Sequence, residues 1–76
     1  MADLAIPTRA PVQLGQAITR FRKSATLTQA KVAASAGVRQ ATVSKTEAGS
    51  GSTELKTIYA LCAALNLELV LRRRSR

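Results

Sequence analysis

The stretch Thr28-Gln-Ala-Lys-Val-Ala-Ala-Ser-Ala-Gly-Val-Arg-Gln-Ala-Thr-Val-Ser-Lys-Thr-Glu-Ala-Gly49 decides the fold. Thr28 is a good N-cap for a helix over residues 29–36, whose inward positions are Ala30, Val32, Ala33 and Ala36. Gly37 follows as a residue free to take positive φ and so end the helix. A second short helix is expected over 40–47, with Val43 its one sure core residue. Small residues (Ala33, Ala36, Gly37) lie where the two helices must pack closely. Helix, glycine turn, helix is the layout in which the second helix enters a DNA major groove.

On the N-terminal side, Pro11 suits the first position of a helix, although Ala10 before it is a poor cap. Leu14, Ala17, Ile18 and Phe21 then recur at helical spacing and predict a helix over about 11–24. On the C-terminal side, Ala48–Ser52 reads as a loop. Ser52 or Thr53 is expected to cap a last helix, with Glu54 in its first turn. Leu55, Ile58, Leu61, Cys62 and Leu65 form its buried stripe, and Asn66 stops it in the left-handed conformation. Residues 67–71, Leu-Glu-Leu-Val-Leu, alternate with period two and read as a strand. No second strand signal exists to pair with it, so Leu67, Leu69, Val70 and Leu71 are expected to pair with their own copies across a two-fold homodimer. The fold class is mainly α: a small helical bundle containing a helix-turn-helix, plus that one strand. Residues 1–10 form a flexible arm, 11–71 the domain, and 72–76 a basic tail.

Size and composition agree with this plan. The chain has 76 residues, of which 46% are apolar, but alanine supplies 14 of those residues and there is no Trp. A core this thin needs a staple or a partner. One cysteine cannot make an internal disulfide, and with no His and four acidic residues no metal or cofactor site is expected. The lone cysteine, the absence of an apolar leader and the absence of a run of ~18 apolar residues point to the cytoplasm rather than to secretion or a membrane. The same inventory offers no catalytic set, so an enzyme is not expected. The net charge is +8, and residues 20–45 hold six cations and no anion: Arg20, Arg22, Lys23, Lys31, Arg39 and Lys45. Arg72–Arg76 adds four more. So localised a charge favours a polyanion. The cations do not line a basic amphipathic helix, and the chain lacks the aromatic residues on which single strands stack, which leaves double-stranded DNA.

The side chains opening the second helix suit base reading. Arg39 can bond guanine bidentately and Gln40 adenine; Ala41 or the Thr42 methyl can touch a thymine methyl; Ser44 lies one turn on. Thr28, Gln29, Lys45 and Lys23 are the expected phosphate contacts, Gln29 beside the positive end of its helix. Glu47 reads as one half of an ion pair with Arg22 or Lys23, and Cys62 as a core thiol.

These residues resemble the XRE-type helix-turn-helix domains of phage Cro, phage repressors and many bacterial regulators. The resemblance rests on Leu27-Thr28-Gln29, the Ala33…Gly37-Val38 turn, Gln40-Ala41-Thr42-Val43-Ser44 and Glu47-x-Gly49. Pro11-x-x-Leu14, Thr53-x-Leu55-x-Thr57 and the ending Leu65-x-Leu67-x-Leu69-x-Leu71 make the chain most similar to HipB-type antitoxins, over about residues 9–72. That resemblance implies a dimer that binds a pseudo-palindromic operator, represses its own operon and holds a HipA-like serine/threonine kinase toxin inactive. It places base reading on Arg39, Gln40, Ala41 and Ser44. Thr46 departs from it, standing where a larger apolar residue is usual, so looser packing of that helix is expected. Two other readings stay open at this stage. One is a solitary regulator without a toxin; the other is an interaction module acting mainly on a partner enzyme.

Overall fold

The computed structural model describes residues 4–75; Met1, Ala2 and Asp3 of the expected arm and Arg76 of the tail lie outside the described residues. Among the described residues four helices follow one another: α1 (Pro11–Ser24), α2 (Gln29–Ala36), α3 (Gln40–Glu47) and α4 (Leu55–Ala64). α2 packs against both α3 and α4, and α1 packs against α3. The core is Ile18, Val32, Ala33, Val43 and Leu61, flanked by Leu14, Leu27, Ala36, Val38, Ala64 and Leu65.

Each helix has an identifiable start. Pro11 opens α1, and with no side-chain cap from Ala10 the Gln13 side-chain Oε1 accepts the Arg9 backbone N–H instead. Thr28 caps α2 as expected, its Oγ1 accepting the Lys31 N–H at 3.1 Å. α3 and α4 begin after Arg39 and Glu54 without a side-chain cap. The expected cap of α4 by Ser52 or Thr53 is therefore not formed. The Thr53 hydroxyl lies instead 3.0 Å from the Thr46 hydroxyl, drawn to a buried partner.

All four helices end in one motif. The residue that follows the last turn is left-handed: Thr26, Gly37, Gly49 and Asn66 in turn. Its N–H, and that of the next residue, return to carbonyls of the last turn. After α2, for example, Val38 N–H donates to Ala33 O at 3.0 Å and Gly37 N–H to Ala34 O at 3.3 Å. This arrangement satisfies carbonyls that a helix end leaves without partners. Glycine or asparagine suits it; Thr26, at φ 56, is β-branched and sits there against its intrinsic preference.

Three further expectations about the helices and the C-terminal segment need correction. Ala30 is exposed rather than inward, because α2 turns Val32 and Ala33 to the core. Leu55 is 64% exposed; as the first residue of α4 it projects beyond the reach of α2. No strand occurs among the described residues, and 67–75 carry no regular secondary structure. A strand exists only through the hydrogen bonds of a neighbouring strand, and this single chain supplies none.

Gly15 is a close-packing site that periodicity does not reveal. A Cβ there would lie 2.5 Å from the Thr46 carbonyl oxygen and 2.6 Å from that of Glu47. Alanine normally favours a helix interior over glycine, yet here it must push α1 off α3. Gly15→Ala is expected to lower stability by about 1–3 kcal/mol in urea unfolding followed by circular dichroism; a higher midpoint would contradict the close approach.

Candidate nucleic-acid interface

The site begins with a buried ion pair. Arg22, on α1, donates Nε to Glu47 Oε2 at 2.6 Å and Nη2 to Oε1 at 3.0 Å. Its remaining Nη1 donates to the Leu27 carbonyl at 2.8 Å. Gln29, on α2, donates Nε2 to the same Glu47 Oε1 at 3.0 Å. The Arg22 and Glu47 side chains are only 11% and 6% exposed. One carboxylate at the last residue of α3 thus ties together α1, the α1–α2 connection and α2. Sequence spacing offers Arg22 or Lys23 as its partner, and the structure selects Arg22; Lys23 remains exposed.

Burial pushes the Glu47 carboxyl up, but hydrogen bonds from Arg22 and Gln29, with the charge of Arg22, outweigh that and hold it below its ordinary value. The same bond to Glu47 raises the Arg22 guanidinium against the opposing effect of burial. The pair is therefore ionised throughout the neutral range.

With α3 anchored at its C-terminal end, its opposite end faces outward. Arg39, Gln40, Ala41, Ser44 and Lys45 are exposed, and Thr42 is half-buried. Arg39, Thr42 and Lys45 share an open groove with Glu54, Lys56 and Thr57 of the α4 start. The structure thus brings together all the residues expected to read bases on one short helix and its leading residue. It adds Lys56, for which residue order holds no selecting signal. Thr28 uses its hydroxyl oxygen as a cap, and Gln29 uses one amide N–H on Glu47. Both of these expected phosphate contacts therefore also hold the fold. Arg22 is withdrawn from the surface, so five of the six cations in 20–45 are exposed: Arg20, Lys23, Lys31, Arg39 and Lys45. Thr46, expected to loosen α3, is instead 3% exposed, its hydroxyl donating to Thr42 O at 2.8 Å.

A helix-turn-helix family profile matches residues 18–71. The chain belongs to the helix-turn-helix family. No curated protein matches it significantly. Among solved structures, this helix-turn-helix chain is similar to a single-substitution HipB variant in complex with an O2 20mer, at 29% identity and TM-score 0.87, covering 96% of this chain and 100% of that one. It is also similar to a HipA–HipB–O2–O3 complex (29% identity, TM-score 0.85, 91% and 97% covered) and to a HipB–O4 20mer complex with the same four values. No helix among the described residues is long and apolar enough to cross a membrane. The resemblance to HipB antitoxins read from the sequence thus extends to the whole fold.

Removing one partner of a buried ion pair costs about 3–5 kcal/mol, whereas replacing both with apolar residues is often near neutral. Arg22→Met should therefore unfold at much lower urea than the parent, and Arg22→Met with Glu47→Leu should recover part of the loss. Additive losses would contradict a coupled pair. The folded carboxyl lies below its ordinary value of 4.5. Its contribution is therefore complete above that pH and lost as pH falls toward the lower folded value. The parent should lose stability on acidification below 4.5 more steeply than Glu47→Gln, measured by the same unfolding assay.

Proposed function

We propose that this protein is a dimeric, sequence-specific DNA-binding repressor of the HipB antitoxin type. It binds a pseudo-palindromic operator before its own operon and neutralises a HipA-like serine/threonine kinase toxin. The observation that carries this reading is the near-complete, two-way coverage of HipB in complexes with 20mers and with HipA, at TM-scores of 0.85 and 0.87. An α3 anchored by Glu47, with its polar N-terminal face outward, supports the same reading.

In this account α3 lies in the major groove. Arg39, Gln40, Ala41, Thr42 and Ser44 meet base edges. Lys45 and Lys23 neutralise phosphates. Thr28 keeps its hydroxyl hydrogen to donate to a phosphate while its oxygen caps α2. Gln29 has one amide N–H to offer while the other holds Glu47. Two protomers place two α3 helices on successive grooves, about 34 Å apart. The exposed apolar residues Leu69, Val70 and Leu71 are the surface through which the protomers join.

Binding is tested by fluorescence anisotropy with a duplex from the promoter of the protein's own operon and a random duplex. Arg39→Ala should cost about 1–3 kcal/mol on the promoter and relax preference at one base pair, while Lys45→Ala should weaken both duplexes alike and flatten the salt dependence. Equal loss from Arg39→Ala on both duplexes would remove its base-reading role. Deleting residues 68–76 leaves Asn66 and Leu67 to close α4. It should yield a monomer in sedimentation and a much weaker promoter complex; a dimer of unchanged affinity would refute joining through this segment.

A further inference from the structure

The open groove between α3 and the start of α4 holds three exposed cations, Arg39, Lys45 and Lys56, and one exposed anion, Glu54. Glu54 immediately precedes α4, but its side chain does not cap that helix. Nor is it paired. Among the described residues the one salt bridge joins Arg22 to Glu47, so the Glu54 carboxylate is bound to none of the three cations that share its groove. The other described carboxylates lie elsewhere: Glu47 is buried and neutralised, and Glu68 follows α4. The groove that carries Arg39, Thr42 and Lys45 therefore contains one negative charge with no partner of its own.

Given the DNA binding proposed above, we infer that Glu54 is a repulsive element of the DNA-binding surface. It opposes the phosphates that Lys45 and Lys56 draw toward the groove, and so lowers affinity for every duplex by a similar factor. The chain has a net charge of +8, and attraction of such a charge to the DNA backbone is independent of sequence. Holding that attraction down leaves the base contacts of α3 a larger share of the total. Like charges about 7 Å apart near a protein surface repel by an amount worth about a three- to tenfold change in affinity. The carboxylate is exposed, so salt screens the repulsion. A carboxylate can also accept from the amino group of cytosine, but that role has the opposite sign, because removing the charge would then weaken the promoter complex. Glu54 belongs to the start of α4 and not to α3, the helix that enters the major groove in this account, and so meets the flanking backbone.

Glu54→Gln keeps the size of the side chain and removes its charge. In fluorescence anisotropy it should bind the promoter and random duplexes alike about three- to tenfold more tightly than the parent. The gain should shrink as salt rises from roughly 0.05 to roughly 0.3 M. Urea unfolding separates this from a change in folding. A carboxylate favours the start of a helix, so Glu54→Gln should unfold at the same or slightly lower urea while binding more tightly. Unchanged or weaker binding, or a gain confined to one duplex, would overturn the repulsive role. If Arg39→Ala still loses the promoter selectively in the same experiment, the failure belongs to Glu54 and the DNA reading stands. A parent chain that binds neither duplex would overturn both.

Discussion

The carboxylate of Glu47 is the point on which the arrangement of the domain depends. It ends α3, and the groups that neutralise it come from α1 and α2. A buried, unpartnered carboxylate is far costlier than any surface contact this small chain makes. Arg22 and Gln29 must therefore be in place whenever α3 is folded against the core. The guanidinium also binds the Leu27 carbonyl, which fixes the entry into α2. At the same junction, Gly15, on the same face of α1 two turns before Arg22, lets α1 approach the last carbonyls of α3 to a distance no side chain would allow. Ion pair and glycine together set the distance and angle of α3, and so the direction in which Arg39 through Lys45 point.

Short helices make this anchoring necessary. α2 and α3 have eight residues each, below the length at which a helix holds together alone in water. Their stability comes from Val32, Ala33 and Val43 in the core and from well-closed ends. The repeated left-handed closure after each helix answers that need, with glycine or asparagine at three of the four positions. At the fourth, Thr26 accepts an unfavourable backbone conformation. It stands between the two Arg22 contacts, Leu27 N–H to Arg22 O and Arg22 Nη1 to Leu27 O, which hold the connection on either side of it.

Much of this was legible from residue order. The helix over 29–36, the glycine turn and the helix over 40–47 follow from Thr28, Gly37 and the apolar positions, and the structure has the same three features. Residue order leaves Arg22 and Lys23 as partners for Glu47, and the structure has Arg22. What escaped is what depends on three-dimensional approach. Gly15 looks like any helical glycine until the carbonyls of α3 are placed beside it. Leu55 fits the helical stripe of α4 by spacing, but lies at an end that nothing covers. Gln29 reads as a phosphate contact, and its bond to Glu47 spans eighteen positions of sequence. The strand over 67–71 has its alternation in sequence, but alternation cannot supply the second strand that would give it hydrogen bonds. Among the site residues, identity and order pointed to α3. The contribution of Lys56 to the same groove comes only from the fold of the α3–α4 connection.

The central claim is that the outward face of α3, held in place through Glu47, is the surface that meets DNA. Amide NMR of the labelled protein titrated with its promoter duplex tests this residue by residue. The account predicts the largest shifts at 28–31 and 39–45, at both the start of α2 and the start of α3, with Ile58, Leu61 and Cys62 in α4 little changed. Shifts concentrated along α4, with residues 39–45 unmoved, would contradict it.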